Sequence, residues 1–422
     1  MDRLIKTLSS LRLTVVLLAC GLVLIFVGTL AQVHEGLYQA QARYFKSWLI
    51  VGSTLFNTKL PWLVLPGGYA IGSLLLVNLT AAHFTRFHWT WRKSGIFLTH
   101  LGLILLLLGQ LGTDLLSTES AMQLERGQTK NYSEDFHANE LAFINQSQPN
   151  EDEVIAIPER FVTAGATITH PQLPFTVKVK EFWPNTELMS ARGGAKPPVA
   201  VVPSVTAGYG TNVWLFALPA TQDMESRNLP SATIEVLAGT EVKGTWLVSS
   251  YTGQTQSFEH GGQRWALLLR FKRYYTPYSL TLLDLKHDRY PGTDLPKDFR
   301  SRVRIVHPVK NEDRETEIFM NNPLRYEGLA FYQLKMVDDE TAARASRESA
   351  GQKVTPSSTF QVVKNPSWLT PYFACLMVGF GLATQFLIHL VGFVQKRNAP
   401  AAAAAPTGKM SQPQKGAAGA KQ

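Results

Sequence analysis

Residues 95–116 read Gly95-Ile96-Phe97-Leu98-Thr99-His100-Leu101-Gly102-Leu103-Ile104-Leu105-Leu106-Leu107-Leu108-Gly109-Gln110-Leu111-Gly112-Thr113-Asp114-Leu115-Leu116, a stretch with no Lys, Arg or Glu. About 20 mostly apolar residues are enough to cross a bilayer as a helix. Three more runs have the same character. One spans residues 13–31 and carries no charge, a second covers about 61–82, and the last covers 368–394. Trp48, Trp62, Trp89, Trp91 and Trp368 fall near the ends of these runs, where aromatic belts form. The first run is longer than the 7–15 apolar residues of a signal peptide and no A-x-A site follows it, so it reads as an uncleaved helix.

The basic residues set an orientation. Arg3, Lys6 and Arg12 precede the first run. Arg86, Arg92 and Lys93 lie between the second and third, and Lys396, Arg397, Lys409, Lys415 and Lys421 follow the fourth. With four crossings these segments share one side, which the positive-inside rule makes cytoplasmic. Arg43, Lys46 and Lys59 in the opposite loop weaken that bias without reversing it. The net charge of +9 is thus spread along membrane flanks and a tail rather than gathered in one patch, which argues against nucleic acid as a partner.

Between the third and fourth runs, residues 117–367 form a segment of domain size. Phe175, Val177 and Val179 alternate with Thr176, Lys178 and Lys180; Val303 and Ile305 alternate with Arg302 and Arg304. Residues 234–236, 246–248 and 265–271 are further candidate strands, separated by turn clusters such as Glu259-His260-Gly261-Gly262. Period-two patterning of this kind predicts an antiparallel β domain. A short surface helix is expected over 340–349, an exposed loop over 189–210, and a low-complexity, disordered tail from Asn398. The fold class is membrane α+β: residues 1–116 with three helices, 117–367 as a β-rich extracytoplasmic domain, 368–394 as a fourth helix, and 395–422 as a cytoplasmic tail.

Cys20 and Cys375 are the two cysteines, and both sit inside apolar runs. A disulfide scaffold is excluded for the outer segment. There is no CxxCH, so the chain is not itself a c-type cytochrome, and no CxxC, Walker loop, GxSxG or HExxH. Histidine at membrane depth is the remaining chemical signal. His100 lies roughly 10 Å into its helix at 1.5 Å per residue. A neutral imidazole there can ligate haem iron; it can equally be a histidine bonded to a neighbouring helix. His389, near the end of the fourth run, is a weaker candidate at a similar nominal depth. His83 and His88 flank the basic loop and His34 the far end of the first run; all three read as interfacial. His137, His170, His260, His287 and His307 show no metal-ligand spacing and read as surface or turn residues. Asn78 reads as an interhelical hydrogen bonder, Asp114 as facing water, and Gly102, Gly109 and Gly112 as sites of close helix packing.

Several stretches together resemble the ResB (CcsB) family of cytochrome c biogenesis proteins. They are Leu8-Ser9-Ser10-Leu11-Arg12-Leu13 leading to Gly28-Thr29-Leu30-Ala31-Gln32, Thr99-His100-Leu101-Gly102-Leu103, and His287-Asp288-Arg289-Tyr290-Pro291-Gly292-Thr293. The most specific is Asn321-Asn322-Pro323-Leu324-Arg325-Tyr326-Glu327-Gly328 with the following Phe331-Tyr332-Gln333. The likeness covers about 8–116 and 270–394 and is faint between. It implies a haem-handling subunit of the inner cell membrane. With a CcsA (ResC)-type partner, such a subunit captures haem b in transit, helps move it across the bilayer and supports its covalent attachment to CxxCH apocytochromes c. It further implies His100 as an axial ligand to haem iron, a co-catalytic or non-catalytic rather than independently enzymatic role, and a thiol-reducing partner for the apocytochrome. The second ligand and the tryptophan-rich motif belong to the partner in that family, and no such motif occurs here. Two alternatives remain open: a membrane scaffold that never touches haem, and a b-type electron-transfer subunit using His100 and His389. The Asn321–Gly328 stretch reads as a structural turn rather than a binding site.

Overall fold

The computed structural model describes residues 2–55, 58–86, 90–148, 151–191, 197–221, 227–291, 296–348 and 353–398. Its helices are α1 (Asp2–Leu8), α2 (Leu11–Glu35), α3 (Leu37–Ala40), α4 (Gly68–Arg86), α5 (Ser94–Leu116), α6 (Asp339–Glu348) and α7 (Thr370–Asn398). Three stretches are long and apolar enough to cross a membrane, Leu11–Val33, Trp91–Leu116 and Thr370–Asn398. The sequence expectation of helix over 61–82 is corrected. Thr58–Pro66 pairs with Leu49–Leu55 as an antiparallel hairpin, and α4 starts only at Gly68. The cause is local. Leu60 and Leu65 each precede a proline, which disfavours helical backbone. Gly67 and Gly68 then fold against the backbone of residues 45–47, where a Cβ would lie 2.1 Å from Ser47 O and 2.3 Å from Phe45 O.

α5 uses two faces. Gly95, Gly102, Gly109 and Gly112 all point at α7 and the residues leading into it. A Cβ on Gly95 would stand 2.5 Å from Gly381 O, one on Gly102 2.7 Å from Val378 Cγ2, and one on Gly109 2.5 Å from Thr370 Cγ2. The small residues therefore let the two helices meet backbone to backbone, the close approach that drives association in lipid. α4 packs against another face of α5. Asn78 ties α4 to the α1–α2 junction as the sequence predicted: its amide donates to the carbonyls of Leu8 and Ser10 (3.2 Å to Ser10) and accepts from Thr14 Oγ1 at 2.6 Å.

The polar segment is antiparallel β, as its alternation predicts. A ten-stranded sheet runs from Glu312–Phe319 through Pro296–His307, Gln263–Arg289, Thr129–Asn145, Thr118–Glu125, Ser357–Lys364 and Leu329–Val337 to Leu324–Tyr326, with Gln256–His260 and Glu153–Pro158 branching from it. A four-stranded sheet (Glu241–Ser249, Ser231–Ala238, Thr176–Trp183, Thr167–Ile168) covers one half. Val177, Val179, Ile234 and Val236 from the small sheet meet Leu141, Phe143, Leu267 and Leu269 from the large one in the first core. A second core gathers Met122, Leu280, Leu282, Val303, Ile305, Phe331 and Phe360 where the large sheet curls on itself. The 27-residue strand Gln263–Arg289 serves both cores and changes register at Phe271/Arg273 and Tyr275/Leu280, bulges that let it bend between them. The expected surface helix is α6. Part of the expected 189–210 loop is instead ordered: Val201 bridges Leu215, and Val205 and Tyr209 pack beside Leu247. α7 continues to Asn398, four residues into the expected tail, and the remainder of that tail, 399–422, lies outside the described residues.

Candidate functional site in the helix bundle

The domain is carried on the ends of α5 and α7. Leu116 runs almost directly into Thr118–Glu125, and Ser357–Lys364 leads back into α7. Asn365 exchanges hydrogen bonds with Thr113 at 3.3 and 3.5 Å, and the Arg325 guanidinium stacks 4.6 Å from the centre of the Trp368 ring. This end of the bundle is called the domain end below.

His100 sits at the other end, on the face of α5 turned away from α7. Five residues separate it from Gly95, which at 3.6 residues per turn places it roughly 140° around the helix. The side chain facing it is His83 of α4: the two rings are 6.4 Å apart at 68°, and His83 is only 6 % exposed. Phe97 closes the pair, 4.4 Å from the His83 ring. Reading His83 as interfacial is therefore corrected: helix packing takes it inward. A signal for it existed. Tyr69, Leu76 and His83 recur every seven residues along α4, and His100, Leu107 and Asp114 do so along α5. In antiparallel helices these two stripes form one seam, with the histidines at one end and Tyr69 donating to Asp114 at the other.

His389 is not brought to His100. Its Nε2 lies 2.9 Å from Gln385 Nε2, and Gln385 in turn donates to Arg92 O at 3.1 Å, so His389 stands near the start of α5. Thr99, next to His100, lies against Gly381, eight residues or roughly 12 Å from His389 along α7, and His100 itself is on the face of α5 turned away from α7. The side chain of His34 and all of His88 lie outside the described residues. Asp114 is a second correction. Far from facing water, its carboxylate is 14 % exposed, paired with Lys46 at 2.7 Å and accepting from Tyr69. Both cysteines are free thiols.

Two family-like stretches of the outer domain are architectural. Glu327 and Gly328, with φ of 49° and 74°, form the two-residue turn between Leu324–Tyr326 and Leu329–Val337. Positive φ at both positions is the type I′ geometry whose twist suits a hairpin. Leu324 and Phe331 flank it in the second core, and Gln333 accepts from Ser301 Oγ at 2.7 Å and donates to Ser358 Oγ at 2.8 Å. The other stretch clamps a helix. Asp338 caps α6, accepting from Thr341 N at 2.8 Å, and receives His287 Nδ1 at 2.9 Å and Arg289 at 3.0 Å. Burial would raise this carboxyl, but the hydrogen bonds from Thr341 and His287 and the charge of Arg289 outweigh it and bring it down to about 2. His287, part-buried, and His307, buried, are thus structural residues rather than surface ones, and His307 has the turn role that was the other expectation. His307 Nδ1 accepts from Lys310 N, and its ring stacks on Tyr278. Among the described residues no group of three or more His, Cys, Asp or Glu side chains is placed to hold a metal ion.

Three helices long and apolar enough to cross a membrane, carrying an antiparallel β domain, define a membrane protein. Residues 231–354, which include both architectural stretches, match the model of the ResB-like family. The chain is also 35% identical over 80 residues to Protein NrfI of Wolinella succinogenes, a match covering 19% of this chain and 9% of that protein.

Proposed function

We propose that this chain acts in cytochrome c biogenesis as the subunit that captures haem within the bundle and supports its delivery across the membrane. The observation that carries the reading is the position of His100: an imidazole among apolar helices, facing His83, in a chain whose residues 231–354 match the ResB-like family. Haem joins an apolar macrocycle to two anionic propionates, so free passage through lipid is unfavourable at one end. An imidazole inside a bundle holds the iron while the macrocycle stays in apolar surroundings. The basic residues flanking this end, Arg92 and Lys93 among them, attract the propionates. On this reading the histidine end is cytoplasmic, α4 is a fourth crossing and the β domain lies outside. There it engages a CcsA-type partner and the apocytochrome, with thioether formation completed on the partner.

The test is co-purification of the full chain with its partner from cells making a reporter cytochrome c. His100→Ala is expected to remove most of the haem absorbance from the complex and to block reporter maturation, with imidazole added in the medium restoring part of both. Unchanged haem content and unchanged maturation in His100→Ala defeat the ligand role. Normal maturation with no haem ever present would favour the scaffold reading. The b-type reading with His389 is disfavoured by the distance along α7, and His389→Ala is expected to leave the haem spectrum unchanged.

A further inference from the structure

The α4–α5 seam opens, at the domain end, into a chamber of about 690 Å³. Its size lies within the range of small-molecule sites. Leu37, Leu76, Leu107 and Leu111 line it as an apolar body, and Gly72 forms part of the wall with nothing within 4 Å of where its Cβ would be. At one side stands the cluster of Lys46, Asp114 and Tyr69; Gln41 and Gln110 offer side-chain amides.

Charge decides which ligand fits. The lining holds one ammonium, Lys46, against two carboxylates, Asp114 and Glu119. Lys46 is already engaged with Asp114 at 2.7 Å, and Asp114 has Tyr69 on its other oxygen. An anionic ligand would meet a net negative surface, and a cation would find Asp114 already neutralised and Glu119 exposed to solvent and accepting from Gln361 Nε2 at 2.9 Å. The Gln110 amide, more than a turn inside a membrane-spanning helix, has no hydrogen-bond partner among the described residues. An amide left unsatisfied at that depth is costly. The complementary molecule is neutral and flat, with carbonyl or hydroxyl groups at one end and an apolar remainder. We infer that the chamber between α2, α4 and α5 is a binding site for a membrane quinone or quinol, its ring oxygens meeting Gln110 and the Tyr69–Asp114–Lys46 cluster and its tail leaving along the leucines.

This inference does not rest on haem capture by His100, and its test is separate. The full chain is reconstituted in lipid nanodiscs with an azido-benzoquinone carrying a short isoprenoid tail, irradiated, and mapped by peptide mass spectrometry. Label is expected on peptides within 68–86 and 94–116, competed by unlabelled quinone. Gly72→Leu places a side chain in the open space without a clash and replaces glycine by a better helix former. It is expected to cut labelling at least tenfold. Gly379→Leu, a helical glycine of α7 with equally open surroundings, is expected to leave labelling unchanged, as is His100→Ala. Equal labelling of Gly72→Leu and wild type overturns the proposal. So does label spread evenly over all helices, or competition by phospholipid but not by quinone.

Discussion

Replacing Asp338 by Asn should unfasten α6 from the outer domain in a pH-dependent way. Asp338 is the point where the His287–Arg289 stretch grips α6, and its side chain is 14 % exposed. Its carboxyl stands at about 2 in the fold against an ordinary 3.8. At 1.36 kcal/mol per pH unit that depression is worth roughly 2.5 kcal/mol of stability. The sign follows from the depressed value. The contribution is fully present above pH 3.8 and is lost as pH falls through about 2. Asn keeps the capping geometry, since Asn and Asp cap about equally well, so Asp338→Asn should remove mainly the charge contribution, roughly 2 kcal/mol near neutral pH. Asp338→Ala should cost about 1 kcal/mol more through loss of the cap. Hydrogen–deuterium exchange of α6 peptides in the full chain reads this as faster opening, about thirtyfold for Asn at pH 7. The gap to wild type should narrow as the solution is acidified toward pH 2.5. A change below threefold at neutral pH, or a gap that stays constant on acidification, refutes the reasoning.

Two other sites give equally direct expectations. Arg270 and Glu140 form a pair 3.0 Å apart with side chains only 4 % and 7 % exposed; Glu140→Gln should cost about 3–5 kcal/mol in chemical unfolding by leaving a buried guanidinium unpaired, whereas Arg270→Met with Glu140→Leu should cost far less. Equal losses in the single and double variants would show that the pair is not what holds these strands. Gly102→Leu must displace Val378 and the Ala374 carbonyl, which lie 2.7 and 2.9 Å from its Cβ. It should lower the thermal midpoint of the detergent-solubilised chain by an overpacking cost of about 1–3 kcal/mol. An unchanged midpoint would mean that α5 and α7 do not meet there.

Much of the fold was legible because its signals are periodic and local. The apolar runs gave three spans, and the alternation around Val177 and Val303 placed strands with the correct face inward. What local periodicity could not give was partnership. The run from Pro61 looked helical by hydropathy alone, but two prolines and the Gly67–Gly68 contact with residues 45–47 hold its first six residues extended. Nothing near Asp114 in sequence announces Lys46 or Tyr69, which are 68 and 45 residues away. His287 and His307 read as surface or turn residues because their partners, Asp338 and Tyr278, lie far off in sequence. His100 was legible as a polar residue at depth; His83 carried only the seven-residue spacing it shares with Tyr69 and Leu76, which marks a stripe of α4 but not the helix that stripe meets.

How α4 rotates against α5 is set from the opposite side of α5. The glycines every seven residues fix α7 against one face, and the same helix then presents His100, Leu107 and Asp114, also spaced by seven, to α4 roughly 140° away. One repeat length thus keeps both contacts in register along more than 20 Å of helix at 1.5 Å per residue. The histidine pair and the Tyr69–Asp114–Lys46 cluster are therefore two ends of one rigid seam whose orientation is carried by α5. The β domain is fastened to that helix through Asn365–Thr113 and, at the start of α7, through Arg325–Trp368. A partner pulling on the domain would accordingly act on the seam through α5 and α7 together. A change on the glycine face should alter the surroundings of His100 without touching it.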